Sequence, residues 1–145
     1  MAMAEDALGT MIREKDLSLR FSVSACYYAM YYSLYAILMK IGVKCEIHSC
    51  TLRCMEEFLR EFYSADDMSI ITKAFRSRNT IQYYVDRVLD KQDIDFIITK
   101  APLFNTKSKG ILAKINERDT QRIRLKLSAY IDTQHLSQDS WQGRS

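Results

Sequence analysis

An all-α fold, an up-and-down bundle of four or five helices, is what this sequence predicts, and three observations predict it. The 145 residues include only four glycines and one proline, which leaves little turn chemistry for an all-β design. Apolar residues recur at three- and four-residue spacing almost throughout, the period of helices with a buried face. The stretch from Phe21 to Met39 carries no charge yet holds Tyr27, Tyr28, Tyr31, Tyr32 and Tyr35.

Taken in order, Glu5 to Leu17 forms a first helix on the spacing of Leu8, Met11 and Ile12. The second runs from Ser22 to Ile41 and stops at Gly42, a residue suited to the left-handed turn that ends helices. It is apolar all round, so other helices or a partner subunit must cover every side. Its length would also suit a membrane span. Tyrosine, however, prefers membrane interfaces to the hydrocarbon centre, whereas neighbouring helices of a bundle can bond its hydroxyls. Val43 to His48 connects to a third helix, capped by Ser49 and reaching Tyr63, with Leu52, Met55, Leu59 and Phe62 on one stripe. Ser64 to Asp67 reads as a capping box. It opens a fourth helix, Asp66 to Leu89, whose apolar face includes Ile71, Ala74, Phe75, Ile81, Val85 and Val88. Asp93 starts a fifth, which Pro102 should kink or split by removing a donor and crowding the preceding turn. The last helix covers Ile111 to Ile131. Residues 1–132 form one domain, and 133–145 are expected to be a flexible tail.

A net charge of +3 is too small to imply a nucleic-acid partner by itself. Between Asn105 and Lys126, however, seven basic residues face two acidic ones, which makes either a surface that meets phosphates or a solvated helix face. The acidic opening MAMAEDALGT lacks the pattern of a signal peptide, so a cytoplasmic protein without membrane contact is expected. Cys26, Cys45, Cys50 and Cys54 should then remain thiols. Cys45, His48, Cys50 and Cys54 lie close in sequence, but structural zinc sites bring ligand pairs from separate elements, so no metal is assigned. Nor is a cofactor: there is no glycine-rich phosphate loop and no Ser-His-Asp set.

The stretch AFRSRNTIQYYVDR, residues 74–87, concentrates polar chemistry on a helix. Arg76, Asn79 and Tyr83 fall on one stripe, and Arg78 shares another with Gln82. An arginine beside an amide and phenols suits a phosphate, a base or a carboxylate. The competing reading is an exposed face whose arginines pair with Asp86 or Glu56 at little energetic consequence.

Together, SACYYAMYYSLYAILMKIG, the following IHS and the later RNTIQYY resemble the HEPN superfamily of small helical domains, over roughly Ser22 to Phe104. The resemblance implies a homodimer in which motif-bearing helices meet across the subunit interface. It also implies a metal-independent endoribonuclease or toxin, paired with a minimal nucleotidyltransferase as antitoxin. The family motif is an Arg, a polar residue and, a few positions on, a His. Arg78 and Asn79 match it, and Tyr83 stands where the His is expected. A phenol with a pKa of about 10 is a poor base at neutral pH. Arg78, Asn79 and Tyr83 are therefore the candidate catalytic residues, with Arg76, Gln82 and Tyr84 as candidate substrate contacts, in a cleft that the resemblance implies binds RNA or a nucleotide with nuclease activity lost or kept. In one toxin subfamily the partner modifies a tyrosine two positions beyond the His. Val85 holds that place here, which leaves Tyr83 or Tyr84. The remaining alternative is a structural dimer without a ligand.

Overall fold

The structure is a computed structural model describing residues 1–84, 86–87 and 89–142, with side chains as far as 133. Among the described residues it is all-helical: α1 (Ala2–Glu14), α2 (Leu19–Ile41), α3 (His48–Phe58), α4 (Ala65–Tyr83), α5 (Lys91–Lys114) and α6 (Glu117–Gln142). The expected bundle is thus present with six helices.

The charge-free run becomes the axis of the fold. α2 packs along α1, α4 and α5 and also meets α3 and α6, which covers most of its apolar circumference while Leu19, Phe21 and Met39 stay exposed. Val23, Cys26, Tyr27, Met30, Leu34, Ile37 and Ile41 of this helix are fully buried. Among the described residues, no helix is long and apolar enough to cross a membrane. Gly42 ends α2 at φ 85°, and the N–H groups of Gly42 and Val43 bond the carbonyls of Met39 and Leu38. Such a φ is strained for any side chain, which is why glycine marks this stop. Buried polar groups on the axis are matched locally: Ser33 donates to the Ala29 carbonyl and accepts from Asn105 Nδ2 of α5 at 2.8 Å.

Several boundaries differ from the sequence reading. α3 ends at Phe58 rather than Tyr63, and α4 at Tyr83 rather than Leu89. Val85 and Val88, expected on the apolar face of α4, lie outside the described residues. α5 runs unbroken through Pro102. Proline frees the carbonyl four residues back, a loss of one backbone bond. On either side of it, Ile97, Ala101, Phe104 and Asn105 are buried, and that packing outweighs the loss. The helix expected over Ile111 to Ile131 is divided instead at Asn116, where Asn116 and Asp119 exchange backbone-to-side-chain bonds and start α6. Of the tail expected from residue 133, side chains beyond that residue, His135 included, lie outside the described residues.

The basic segment is largely absorbed by the bundle. Lys107 pairs with Asp67, Lys109 with Glu5, and Arg122 and Lys126 with Glu61. Arg124 donates to the Ile41 carbonyl. These cations face acids and carbonyls of other helices and of the α3–α4 connection, so the segment is a packing seam more than a free phosphate surface.

The Ser64–Asp67 capping box is present as the sequence predicts. Burial raises the Asp67 pKa, but hydrogen bonds from Lys107 and from Ser64 lower it further, and the net shift is downward. A carboxyl whose folded pKa is depressed contributes stability above its unfolded pKa of about 4 and loses it as pH falls through the folded value. Asp67→Asn should therefore cost about 1–2 kcal/mol at pH 7. In thermal melts the gap between the two proteins should close toward pH 3. A gap that is the same at both pH values would show that the Asp67 charge contributes nothing.

Candidate functional site

α2, α3 and α4 converge on one cluster of rings around a single guanidinium. Arg78 of α4 is 9% exposed. One terminal nitrogen donates to Tyr28 Oη at 2.7 Å, the other to Asn79 Oδ1 at 2.9 Å. Its Nε is buried and, among the described residues, has no hydrogen-bond partner. The guanidinium carbon lies 5.4 Å from the Tyr28 ring centre and 6.0 Å from that of Tyr83. No described carboxylate forms an ion pair with it, so the expected pairing with Asp86 or Glu56 is not made. A buried cation held only by neutral oxygens and ring faces leaves a positive potential unanswered.

His48, the first residue of α3, joins this cluster from the opposite side. Its Nδ1 and Tyr27 Oη share a hydrogen bond of 2.5 Å. Its ring stacks on Tyr31 at 4.3 Å between centres and meets Tyr28 edge-on at 6.0 Å. Burial, and next the nearby Arg78 charge, hold the imidazole pKa below its usual value of about 6.5. The ring is therefore mainly neutral at pH 7. Tyr27 is fully buried, and burial pushes its phenol pKa up, so it stays protonated. The tyrosines of α2 thus split into roles. Tyr27 orients His48, Tyr28 bonds Arg78, and Tyr31 is the stacking surface between them.

Of the residues singled out from sequence, Arg78 and Asn79 are brought together, with Tyr83 beside them at 68% exposure. Arg76 is exposed and lines grooves with Lys73, Ser77, Arg53 and Glu56. Gln82 is exposed, and Tyr84 packs its ring 4.3 Å from the Arg87 guanidinium carbon. Stripe reasoning missed Tyr27, Tyr28 and His48. The signal was present as a lone His heading a helix just after a tyrosine-rich one, but spacing along one helix carries no information about which helices meet.

Tyr28 also lines a groove of about 600 Å³ between α1 and α2, floored by Ala25 and Tyr32. Asp6 and Glu14 line the same groove and oppose a polyanion there. An anionic ligand is better served on the Arg78 side.

Near this cluster, α2 and α4 are tied end to end: Arg20 donates to the Ile81 carbonyl at 3.0 Å. Leu19, Phe21, Tyr83 and Tyr84, which flank that tie, are all exposed.

The thiols differ from expectation in part. Cys26 and Cys54 are free and buried, and burial raises the Cys26 pKa to about 12. Cys45 and Cys50 are joined as a disulfide. Their Cα atoms are 6.4 Å apart, within the span a disulfide bridges, because the connection turns back into the first turn of α3.

No family model matches the chain. It is similar to a curated protein of Methanocaldococcus jannaschii named "Putative toxin MJ0142", with 27% identity over 101 residues, covering 66% of this chain and 67% of that protein.

Proposed function

We propose that this protein is a HEPN-type component of a toxin–antitoxin-like pair, acting in the cytoplasm, that binds RNA or a nucleotide through a phosphate at Arg78. The observation that carries this reading is the buried Arg78 guanidinium, which among the described residues has no carboxylate beside it and no partner for Nε. A phosphate oxygen would complete its donors and answer its charge, and Arg is the side chain whose planar fork fits phosphate. The named similarity to a toxin supports the same direction. Tyr83, exposed beside the guanidinium, offers a face on which a base can stack. The exposed apolar residues near the Arg20–Ile81 tie give a second copy a place to pack, which would bring two Arg78 sites near one cleft. A nucleotidyltransferase is the partner that the HEPN resemblance implies.

A second reading, metal-independent RNA cleavage, is favoured by His48. This imidazole lies in the cluster where position 83 has a phenol.

The test is fluorescence anisotropy with single-stranded RNA, followed by gel analysis of the same mixtures in chelator. Wild type should bind, and Arg78→Lys, which keeps the charge but loses the fork, should weaken binding by about tenfold. Intact RNA in the gel supports the binding reading; cleavage by wild type but not Arg78→Lys supports the second. Equal binding by both proteins, or none by wild type, would remove Arg78 from the function.

A further inference from the structure

The sulfurs of Cys45, Cys50 and Cys54 lie within 4.8 Å of one another. They come from the α2–α3 connection and from two successive turns of one α3 face, so the backbone already fixes their spacing. Thr51 Oγ1 bonds the Cys45 carbonyl at 3.1 Å and holds the connection against the helix. Cys45 and Cys54 are each 8% exposed, while Cys50 reaches solvent. A zinc–thiolate bond of about 2.3 Å puts the sulfurs of one shell roughly 4 Å apart. The edges to Cys54 need at most about an ångström of contraction, and the Cys45–Cys50 edge opens when its disulfide is reduced.

We propose that the reduced protein binds one soft thiophilic cation of the Zn²⁺ class through Cys45, Cys50 and Cys54. His48 is left out of the ligand set because neither of its ring nitrogens falls in the group that the three sulfurs form. Water takes the fourth position from the exposed Cys50 side. The disulfide between Cys45 and Cys50 is the alternative closure of the same loop. Opening it takes two electrons and two protons from a thiol reductant, which itself becomes a disulfide. Metal binding then releases the three thiol protons to solvent. Either closure pins residues 45–50, the segment that carries His48, and neither depends on what Arg78 binds.

The experiment is calorimetric titration of the full chain with zinc chloride, fully reduced with a phosphine in one arm and oxidised with diamide in the other. The reduced protein should take up one Zn²⁺ per chain. Cys50→Ser should bind at least about a hundredfold more weakly, since one of three thiolates is gone. Cys26→Ser, outside the triangle, should bind as wild type does. The oxidised protein should bind none. Absence of binding by reduced wild type, equal affinity in Cys50→Ser, or equal binding after oxidation would each overturn the proposal. Cys50 is exposed, so its substitution leaves the core intact.

Discussion

Arg78→Met should make the protein more stable and, at the same time, unable to hold its ligand. Arg78 is 9% exposed, and among the described residues its guanidinium has no carboxylate partner and its Nε no hydrogen bond. Removing an uncompensated buried charge in favour of an apolar side chain of similar length relieves its desolvation cost, and apolar replacement of buried ion pairs ranges from neutral to stabilising by about 1–4 kcal/mol. Against this stand the hydrogen bonds to Tyr28 and Asn79 and the two ring contacts. Tyr28 and Asn79 are only partly buried, so water can take up what they lose. The net expectation is about 1–2 kcal/mol of added stability in urea unfolding. Charge-assisted bonds to a phosphate contribute about 1.5–3 kcal/mol, so RNA binding should fall at least tenfold. A residue kept for structure would show the reverse on the first count. A loss of more than about 1 kcal/mol in Arg78→Met would mark Arg78 as a structural member of the bundle.

Leu34→Ala should cause the largest loss of stability at a single position. Leu34 is fully buried at the middle of α2 among Tyr31, Ile37 and Leu38 of the same core. Truncating a leucine in such a place removes its transfer free energy and leaves a cavity, about 3–4 kcal/mol in all. For a chain of this size that lowers the melting temperature by about 10 °C or more. Leu103, 60% exposed on α5, is the control, and Leu103→Ala should stay within about 0.5 kcal/mol of wild type. If the two substitutions cost the same, α2 is not the axis of the fold.

The features legible in the sequence were those set by neighbours along the chain. Gly42 announced the end of α2, and Ser64 with Asp67 announced the start of α4, because caps act within a single turn. The centrality of α2 followed from its lack of any polar face. Features set by packing between helices were not legible. Pro102 has a fixed local cost, but the burial of its neighbours in the groove beside α2 decides that α5 continues. The basic run from Lys107 to Lys126 reads as a free charged patch until Glu5, Glu61 and Asp67 arrive from elsewhere. At the site, RNTIQYY gave Arg78 and Asn79 through resemblance and spacing. That Arg78 turns inward, and that His48 meets the Tyr27 hydroxyl across helices, follows only from the way α2, α3 and α4 converge.

The unanswered charge of Arg78, framed by Tyr28 and His48, is proposed to receive a phosphate. The most direct test is an NMR titration of labelled protein with a short single-stranded RNA, following the ring signals of His48 and Tyr28. Both rings and the Asn79 amide should show saturable shifts, all absent in Arg78→Met. Saturable binding whose shifts fall on the seam of α5 and α6, with the ring cluster unmoved, would contradict it.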